Sequence, residues 1–330
     1  MRQDDARQDG ARHAQEEMFN DRRLASFLAA SLIALSLAGC SGSKTHDDRA
    51  NDAAKAALLK PKKPAPPPRV TNRKANIQGV VFIPEYHRIK AGKGEMFRSP
   101  EQFRADLQTF YDMGFRPVLA SEYLANKMPL APGASPIVIT FDDSMPSQLE
   151  LTPDGVPTPD CAIGIWQDFA KTHPDFPVHA TFFVLPDHLW TTNVVDERKA
   201  PYVRGLGSEL ANHTMKHPFL RKMSDARVKW ELGAASEKLA ELGQSLPTSL
   251  ALPYGVSPKN RALLKGFDWK GKQVTFTGVF LSGAGPAKSP NSKKFNSLKI
   301  ARILAVPKRF GLDFWLKELK EGRVRPYVQP

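Results

Sequence analysis

The chain has 330 residues, a hydrophobic fraction of 41% and a formal net charge of +13 at pH 7. A basic balance of this kind suits an anionic surface, a cell-wall polymer or nucleic acid, but no nucleic-acid motif is present and we expect no nucleic-acid partner. The cysteines are Cys40 and Cys161; if the first carries lipid, as argued next, an intramolecular disulfide is excluded and the fold depends on its core.

The first forty residues have the features of an export signal. Arg22-Arg23 precede a mostly apolar run over residues 24–37, which leads through Ala-Gly to Cys40. A charged region, a short apolar region and small residues at the end are typical of a secretory signal, whereas a membrane-spanning helix needs about 20 apolar residues. The ending resembles the bacterial lipobox, which implies a signal peptide over residues 1–39 and lipid on Cys40. Met18 is a second candidate start, because the charged residues before it are unusual in a signal.

Residues 40–78 are predicted to be a disordered tether between the lipid and a folded domain. They are polar, charged and rich in proline, with a run of Lys and Pro over residues 60–68. Such a segment cannot bury enough apolar surface to fold, and its prolines favour an extended spacer. A ligand for a proline-binding partner domain is the alternative. The catalytic domain is then predicted to cover residues 79–330.

From Gly79 onward, apolar runs typical of buried strands alternate with helical patterns. This alternation predicts a mainly parallel α/β sheet or barrel, and about 250 residues is a normal size for one α/β barrel domain. The long polar segment over residues 145–160 is expected to line the substrate groove. The predicted strands cover residues 80–83, 117–120, 136–141, 180–185, 249–252, 274–281 and 300–306, and the predicted helices cover 99–113, 121–126, 165–172, 224–242, 257–266 and 313–319.

Two adjacent carboxylates, Asp142 and Asp143, directly follow one of these apolar strands. Neighbouring side chains on a strand point to opposite faces, so the two carboxylates should have different roles. They lie at the C-terminal end of a strand, where α/β barrels and open α/β sheets place their chemistry. The alternative is a strand followed by a helix-capping Asp.

A pair of histidines, His213 and His217, forms the second candidate cluster. Their spacing of four places both rings on one face if the segment is helical. Two imidazoles and one carboxylate at a strand end are a reasonable ligand set for a catalytic divalent metal. The alternative is two surface histidines in a turn before Pro218.

Four segments, in this order along the chain, resemble the motifs of the NodB-homology polysaccharide deacetylases, carbohydrate esterase family 4. The resemblance covers roughly residues 79–281 and implies a distorted (β/α) barrel of the NodB type that removes N-acetyl groups with the help of a metal. One departure is Ser144, which stands where the first motif commonly has Gly. The segments are Thr140-Phe-Asp-Asp-Ser144, Ala180-Thr-Phe-Phe-Val184, Asn212-His-Thr-Met-Lys-His-Pro218 and Leu252-Pro-Tyr-Gly255.

The resemblance also implies roles for individual residues. Asp142 is the implied catalytic base, and the backbone N–H of Tyr254 helps to stabilise the oxyanion. The implied ligands of the divalent metal are Asp143, His213 and His217. Zn²⁺ is the expected ion, with Co²⁺, Ni²⁺ and Fe²⁺ as alternatives.

The sequence departs from the family pattern at two functional positions. The family usually supplies a general-acid His near the C-terminus of the domain, but no histidine follows His217. The segment around Phe82–His87 resembles the biofilm poly-N-acetylglucosamine deacetylase branch, in which the acid follows the first strand, so His87 becomes the candidate acid; a histidine packed at a strand end is the alternative. Ala251 stands where the family commonly has an Arg that orders the base, and the sequence offers no obvious replacement.

We therefore predict a metal-dependent N-deacetylase of an N-acetylated polysaccharide, held on the cell envelope outside the cytoplasm by lipid at Cys40. A carbohydrate-binding lipoprotein that lost turnover is the alternative from another class, and the missing Arg favours it. An O-acetyl esterase is a third reading, because the same site can attack an ester. Trp166, Trp190 and Trp269 are candidates for stacking on sugar rings, although most such residues belong to the core.

Overall fold

The computed structural model describes residues 70–94, 96–191 and 196–330. The predicted signal peptide, the lipidation site Cys40 and most of the predicted tether lie outside these residues. Within the described residues, no helix is both long and apolar enough to cross a membrane.

The fold is built on a parallel sheet in the order β12-β9-β8-β7-β6-β1-β13, accompanied by three two-stranded pairs: β2 with β3, β4 with β5, and β10 with β11. All neighbours in the main sheet pair in parallel. The strands are β1 (Pro84–Tyr86), β2 (Arg88–Ile89), β3 (Phe97–Arg98), β4 (Phe115–Pro117), β5 (Ser135–Ile137), β6 (Thr140–Asp142), β7 (Thr181–Val184), β8 (Glu209–Asn212), β9 (Thr248–Ala251), β10 (Phe267–Trp269), β11 (Lys272–Val274), β12 (Phe276–Phe280) and β13 (Ile303–Leu304).

The segment that contains β13 closes the sheet into a barrel. Ile303 pairs in parallel with Pro84 of β1 at one edge of the sheet. Three residues earlier, Ile300 forms a parallel bridge with Phe280 of β12 at the other edge. One short segment therefore joins the two edges, and the predicted distorted (β/α) barrel is confirmed.

The helices pack outside the sheet, and local sequence explains where the longer ones begin. Ser99 caps the first helix in a complete capping box, because its hydroxyl accepts the N–H of Gln102 and the Gln102 side chain accepts the N–H of Ser99. Ser224 caps the longest helix through the N–H of Arg227. The helices are α1 (Pro100–Asp112), α2 (Ala120–Leu124), α3 (Ala162–Thr172), α4 (Lys199–Gly205), α5 (Asp225–Glu241) and α6 (Leu312–Lys320).

The strands carry apolar side chains on both faces, as expected for parallel strands that are covered on both sides. One face fills the barrel interior, where Phe183 of β7 packs against Phe280 of β12 at 5.3 Å between ring centroids. The other face packs against the helices, where Phe141 of β6 stacks on Phe182 of β7 at 4.9 Å. The strands are thus fixed from both sides, and their C-terminal ends form a rigid rim.

The structure corrects three of the predicted boundaries. Residues 70–78, assigned above to the tether, bond to the domain: the N–H of Val70 donates to Pro132 O at 2.8 Å, and Asn76 bridges Val328. The predicted strand over residues 136–141 is divided between β5 and β6, which pair with different neighbours. The helix predicted over residues 257–266 is a single 3-10 turn, because the capping Asn260 side chain accepts the N–H of Ala262 and starts the turn late.

Candidate active site

Asp142 is the last residue of β6 and is buried at the C-terminal rim of the barrel. Its carboxylate forms a two-pronged ion pair with Arg302, in which the two terminal nitrogens donate to Oδ1 and Oδ2 at 2.7 Å each. Burial alone would raise the pKa of Asp142, but the charges of Arg302 and His213 outweigh it and the pKa is lowered. The carboxylate is therefore held ionised in a fixed orientation.

Arg302 lies in the segment that closes the barrel, and its own side chain is fully buried. Its Nε donates to the carbonyl of Leu281 at 2.8 Å, and its guanidinium lies over the Phe183 ring at 5.1 Å. A second carboxylate, Glu85 of β1, lies 3.5 Å from the guanidinium. These contacts fix the guanidinium plane beside Asp142, and the charges of Asp142 and Glu85 raise the pKa of Arg302 although burial opposes its charge.

Asp143 follows directly and turns its carboxylate toward the histidines. Its φ of 68° and the φ of 52° at Ser144 place both residues in the left-handed region, which is rarely populated without Gly. The Ser144 hydroxyl accepts the N–H of Leu185 at 2.9 Å, an interaction that the family's usual Gly could not make. The sharp turn is thus retained, and a hydrogen bond compensates for part of its strain.

The segment between His213 and His217 is a tight turn. It is not the helix on which the expectation of two rings on one face depended. Thr214 and His217 both have positive φ, of 69° and 52°. The Thr214 hydroxyl accepts the N–H of His217 at 3.0 Å. Buried Glu231 of α5 accepts the N–H groups of Met215 and Lys216 through one carboxylate oxygen, at 3.1 and 2.9 Å. The two rings therefore converge because the turn is held from both ends.

The rings of His213 and His217 meet the carboxylate of Asp143. Each Nε2 lies 3.3 Å from Asp143 Oδ1, and one ligand atom from each of the three residues lies within 4.8 Å of the others. His213 Nδ1 lies 2.9 Å from the carbonyl of Ala251, which can only accept, so its Nε2 presents a lone pair to the centre of the group.

This group fits a divalent cation. Asp143 Oδ1 is buried and has no hydrogen-bond partner, and a buried carboxylate oxygen without a partner is costly. Burial raises the pKa of Asp143, yet the neighbouring histidines, His213 first, lower it overall. An ionised carboxylate with two imidazoles is the two-nitrogen, one-oxygen donor set that catalytic zinc sites use.

His87 reaches the same site from the end of β1. Its Nε2 lies 4.0 Å from Asp143 Oδ2 and 3.8 Å from Glu85 Oε1. The side chain is mostly buried. The imidazole is thus next to the candidate metal ligand Asp143 and next to a carboxylate that sequence reasoning did not assign.

Tyr254 forms the outer wall of the site. Its φ of 58° is left-handed, which turns the Pro-Tyr-Gly segment into a sharp bend after β9. The side chain is 61% exposed, and its ring centroid lies 4.7 Å from that of His217. The neighbouring Phe219 ring packs against Tyr254 at 5.9 Å.

Gln148 ties the ends of two strands together from the segment that follows the carboxylate pair. Its Nε2 donates to the carbonyls of His87 and Asp142 at 2.8 and 2.5 Å, and its Oε1 accepts the indole N–H of Trp190 at 3.1 Å. The same segment, which the sequence predicted to line the groove, borders a cavity of about 640 Å³ together with Arg88 and Lys90. His87 and the Asp143–His213–His217 group do not line this cavity, so it lies next to the site and is not part of it.

Three residues near Asp142 were missed by the sequence analysis: Arg302, Glu85 and Gln148. The signal for the first two was present, because each is a single charged residue within an otherwise apolar strand segment. Of the aromatic candidates for sugar contacts, Trp166 and Trp190 are fully buried core residues. Trp269 is half-buried against Gly233 of α5 and lines a cavity to which no residue of the site contributes, so it is not placed to bind a sugar at the site.

Part of the chain is similar in sequence to known proteins. The sequence model of a family described as polysaccharide deacetylase matches residues 131–266. A chitooligosaccharide deacetylase of Bradyrhizobium sp. is 31% identical over 125 residues, which cover 38% of this chain and 48% of the relative. The chain thus aligns with about half the length of this curated relative.

Solved structures share the fold at low sequence identity. The Streptococcus pyogenes deacetylase PplD, solved in complex with acetate, superimposes with a TM-score of 0.54 at 18% identity, over 77% of this chain and all of that chain. The Bacillus cereus polysaccharide deacetylase BC0361 gives 0.54 at 18%, over 73% and 69%. IcaB from Ammonifex degensii gives 0.52 at 17%, over 72% and 96%.

Proposed function

We propose that the protein, whose residues 131–266 match the sequence model of the polysaccharide deacetylase family, is a metal-dependent hydrolase that removes N-acetyl groups from an N-acetylglucosamine-containing polysaccharide. We further propose that it works outside the cytoplasm, anchored to the cell envelope through lipid at Cys40. The observation that carries the activity is the convergence of Asp142, the Asp143–His213–His217 group and His87 at one rim of the barrel.

Asp143, His213 and His217 are the residues that would hold the cation, with Zn²⁺ as the proposed ion. A divalent cation at such a site polarises the carbonyl of the acetamide and lowers the pKa of water. All three donors come from segments whose backbone is fixed by hydrogen bonds, so the site needs little rearrangement to bind the ion.

Asp142 is the proposed general base, which accepts a proton from the water that attacks the acetamide carbon. A base must be ionised to act, and the lowered pKa of Asp142 keeps it so throughout the neutral range. Its orientation is set by the two hydrogen bonds from Arg302. The Arg that is absent at position 251 is thus replaced in function by one that reaches the base from the closing segment.

The remaining steps concern the developing charge and the leaving group. The backbone N–H of Tyr254, at the bend after β9, is the proposed donor to the oxyanion of the tetrahedral intermediate. An amine leaves poorly unless it is protonated, and His87, which lies beside Asp143 at the end of β1, is the proposed acid. Its Nε2 lies 3.8 Å from the carboxylate of Glu85 and 4.0 Å from that of Asp143, so the imidazole is placed between the two carboxylates.

The proposal is tested with matched substrates. The purified protein loaded with zinc is incubated with N-acetylglucosamine oligomers and, separately, with O-acetylated xylan oligomers, and acetate is measured. We expect release from the N-acetylated substrate and its loss in Asp142→Asn. Preferential release from the O-acetylated substrate would assign the protein to the O-acetyl esterases instead.

The same experiment separates the enzyme from a carbohydrate-binding lipoprotein. The main argument for the binding protein was the missing Arg, and the ion pair between Arg302 and Asp142 removes it. Oligomer binding without acetate release, in a protein that retains zinc, would restore that alternative.

A further inference from the structure

An exposed aromatic cluster lies beside the site and has no role in the chemistry above. It consists of Phe310, Phe314 and Trp315, with ring centroids 5.1 to 6.3 Å apart. Arg309 stacks on the Phe310 ring at 4.8 Å. Phe310 is 51% exposed, and the other two rings are half-buried.

The backbone holds this cluster in a strained conformation. Phe310 has a φ of 65°, which for a bulky aromatic residue is an unusual left-handed conformation. The indole N–H of Trp315 donates to the carbonyl of Phe310 at 3.0 Å and so fixes the bend. Such strain persists where the surrounding structure imposes it, and it is concentrated at functional positions. The bend presents the Phe310 ring to solvent rather than to the core.

A four-residue loop, Ser282–Gly285, connects the cluster to the site. At one end, the Ser282 hydroxyl donates to Glu85 at 2.8 Å, and a Cβ placed on Gly255 of the Pro-Tyr-Gly bend would lie 2.8 Å from Ser282 N. At the other end, a Cβ placed on Gly285 would lie 3.1 Å from the Trp315 ring.

The loop is short, so its two ends, one at the site and one at the Trp315 ring, lie close together. Three steps between Cα atoms span at most about 11 Å, which is the scale of a short oligosaccharide. The loop cannot drift from the rim, because the N–H groups of Ala284 and Gly285 both donate to the carbonyl of Arg302, at 2.9 and 3.0 Å. The loop, and the Trp315 ring that it contacts, are therefore held against the segment that carries Arg302, the residue that pairs with Asp142.

We propose that Phe310, with Phe314 and Trp315 behind it, is a subsite that binds a pyranose ring of the substrate away from the reacting N-acetyl group. This inference rests on the proposed function, since it names a further contact with the same glycan. The electron-rich face of an aromatic ring attracts the polarised C–H groups on the face of a sugar ring. Arg309 and the cluster do not cover the edges of a sugar ring that stacks on Phe310. The hydroxyl groups at those edges stay in water and need no buried hydrogen-bond partner. A glycan is favoured over a lipid surface because the cluster is continuous with the site through Ser282–Gly285.

The experiment compares short and long substrates. With N-acetylglucosamine dimers and hexamers, Phe310→Ala and Phe310→Leu should each raise KM for the hexamer about five- to tenfold, with kcat and the dimer's KM unchanged. Phe310→Trp should retain the KM of the unaltered protein, because the stacking face is kept. A loss that is equal for dimer and hexamer, or no loss at all, would overturn the proposal.

Trp269 provides a matched control. It too is an aromatic residue with a neighbouring cation, Lys270 at 5.2 Å. It lines a cavity with Leu246 and Pro247, which precede β9 and so lie toward the opposite rim. Trp269→Ala should leave the hexamer's KM unchanged. A rise in KM equal to that of Phe310→Ala would contradict a dedicated subsite at Phe310.

Two further measurements separate the possible failures. Direct hexamer binding is measured by calorimetry: weaker binding of Phe310→Ala would support the subsite even if no oligomer releases acetate, whereas equal binding would overturn it. Sedimentation with phosphatidylglycerol vesicles tests whether the cluster binds a lipid surface. If Phe310→Ala loses vesicle binding but not hexamer binding, the cluster is a membrane contact and the subsite is overturned.

Discussion

Arg302 and Asp142 are separated by 160 residues in the sequence and form a buried two-pronged ion pair at the rim of the barrel. The guanidinium comes from the segment that closes the barrel. The strand pairing that closes the barrel therefore also orients the proposed base. A buried pair of this geometry is strongly destabilised when one partner is removed, because the other charge is left uncompensated.

The first prediction concerns this pair. In Arg302→Met, burial of Asp142 is no longer offset by the guanidinium, so its pKa rises and less of the base is ionised at low pH. We expect kcat/KM to fall about 10- to 100-fold at neutral pH and the acid limb of its pH profile to move upward. The deficit should therefore shrink as pH rises.

Arg302→Lys is the matched variant, because it retains the charge but loses the two-pronged geometry. It should keep the acid limb close to that of the unaltered protein while losing part of the activity. A deficit that is the same at every pH in Arg302→Met would show that Arg302 acts only on the fold.

The second prediction concerns His87. If its imidazole protonates the leaving amine, His87→Gln should lower kcat on an N-acetyl substrate about 10²- to 10⁴-fold. The same variant should hydrolyse 4-nitrophenyl acetate nearly normally, since that leaving group needs no proton. His188, which is exposed, provides the control: His188→Gln should change neither rate. Equal losses on amide and ester would argue against an acid role for His87.

The third prediction concerns the metal. Asp143→Asn and His217→Ala should each weaken zinc binding at least 10-fold, as measured by calorimetry, because each removes one of three donors. Asp142→Asn should bind zinc like the unaltered protein. Zinc should raise the melting temperatures of Asp142→Asn and of the unaltered protein, since an ion that binds the folded state stabilises it. It should not raise those of Asp143→Asn and His217→Ala. Full zinc affinity in Asp143→Asn would exclude this donor set.

The fourth prediction concerns Gln148. Leu at this position leaves the carbonyls of His87 and Asp142 and the indole N–H of Trp190 buried without their partner. Each unsatisfied group costs about 1–3 kcal/mol, so the free energy of unfolding should fall by about 3 kcal/mol or more in urea titrations. Gln167, which pairs with Tyr202 and is half-buried, is the control, and Gln167→Leu should cost less than about 1 kcal/mol. Similar losses in the two variants would contradict the bridging role.

The sequence predicts the parts of this site that lie within short motifs. Asp142, Asp143, His213 and His217 could be placed together because strand ends of a parallel sheet share one rim. It does not predict how the rings converge: the positive φ at His217 is a consequence of hydrogen bonds that a four-residue spacing does not encode.

Arg302 could not be paired with Asp142 from the sequence for a different reason. The partner of a buried charge depends on which strand closes the barrel, and closure is set by pairing between Ile300 and Phe280 and between Ile303 and Pro84. An Arg within the apolar run over residues 300–306 nevertheless signals a buried charge that requires a partner. Searching for such isolated charges would have identified both Arg302 and Glu85.

Acetate release by the purified protein, measured after metal removal and after refilling with zinc or cobalt, tests the proposed metal-dependent deacetylase activity directly. Poly-N-acetylglucosamine, chitin oligomers and peptidoglycan serve as substrates, and Asp142→Asn is the control. We expect acetate release from at least one substrate, and this release should require metal and be absent in Asp142→Asn. No release from any of them, by a protein that binds metal stoichiometrically, would contradict the proposed activity.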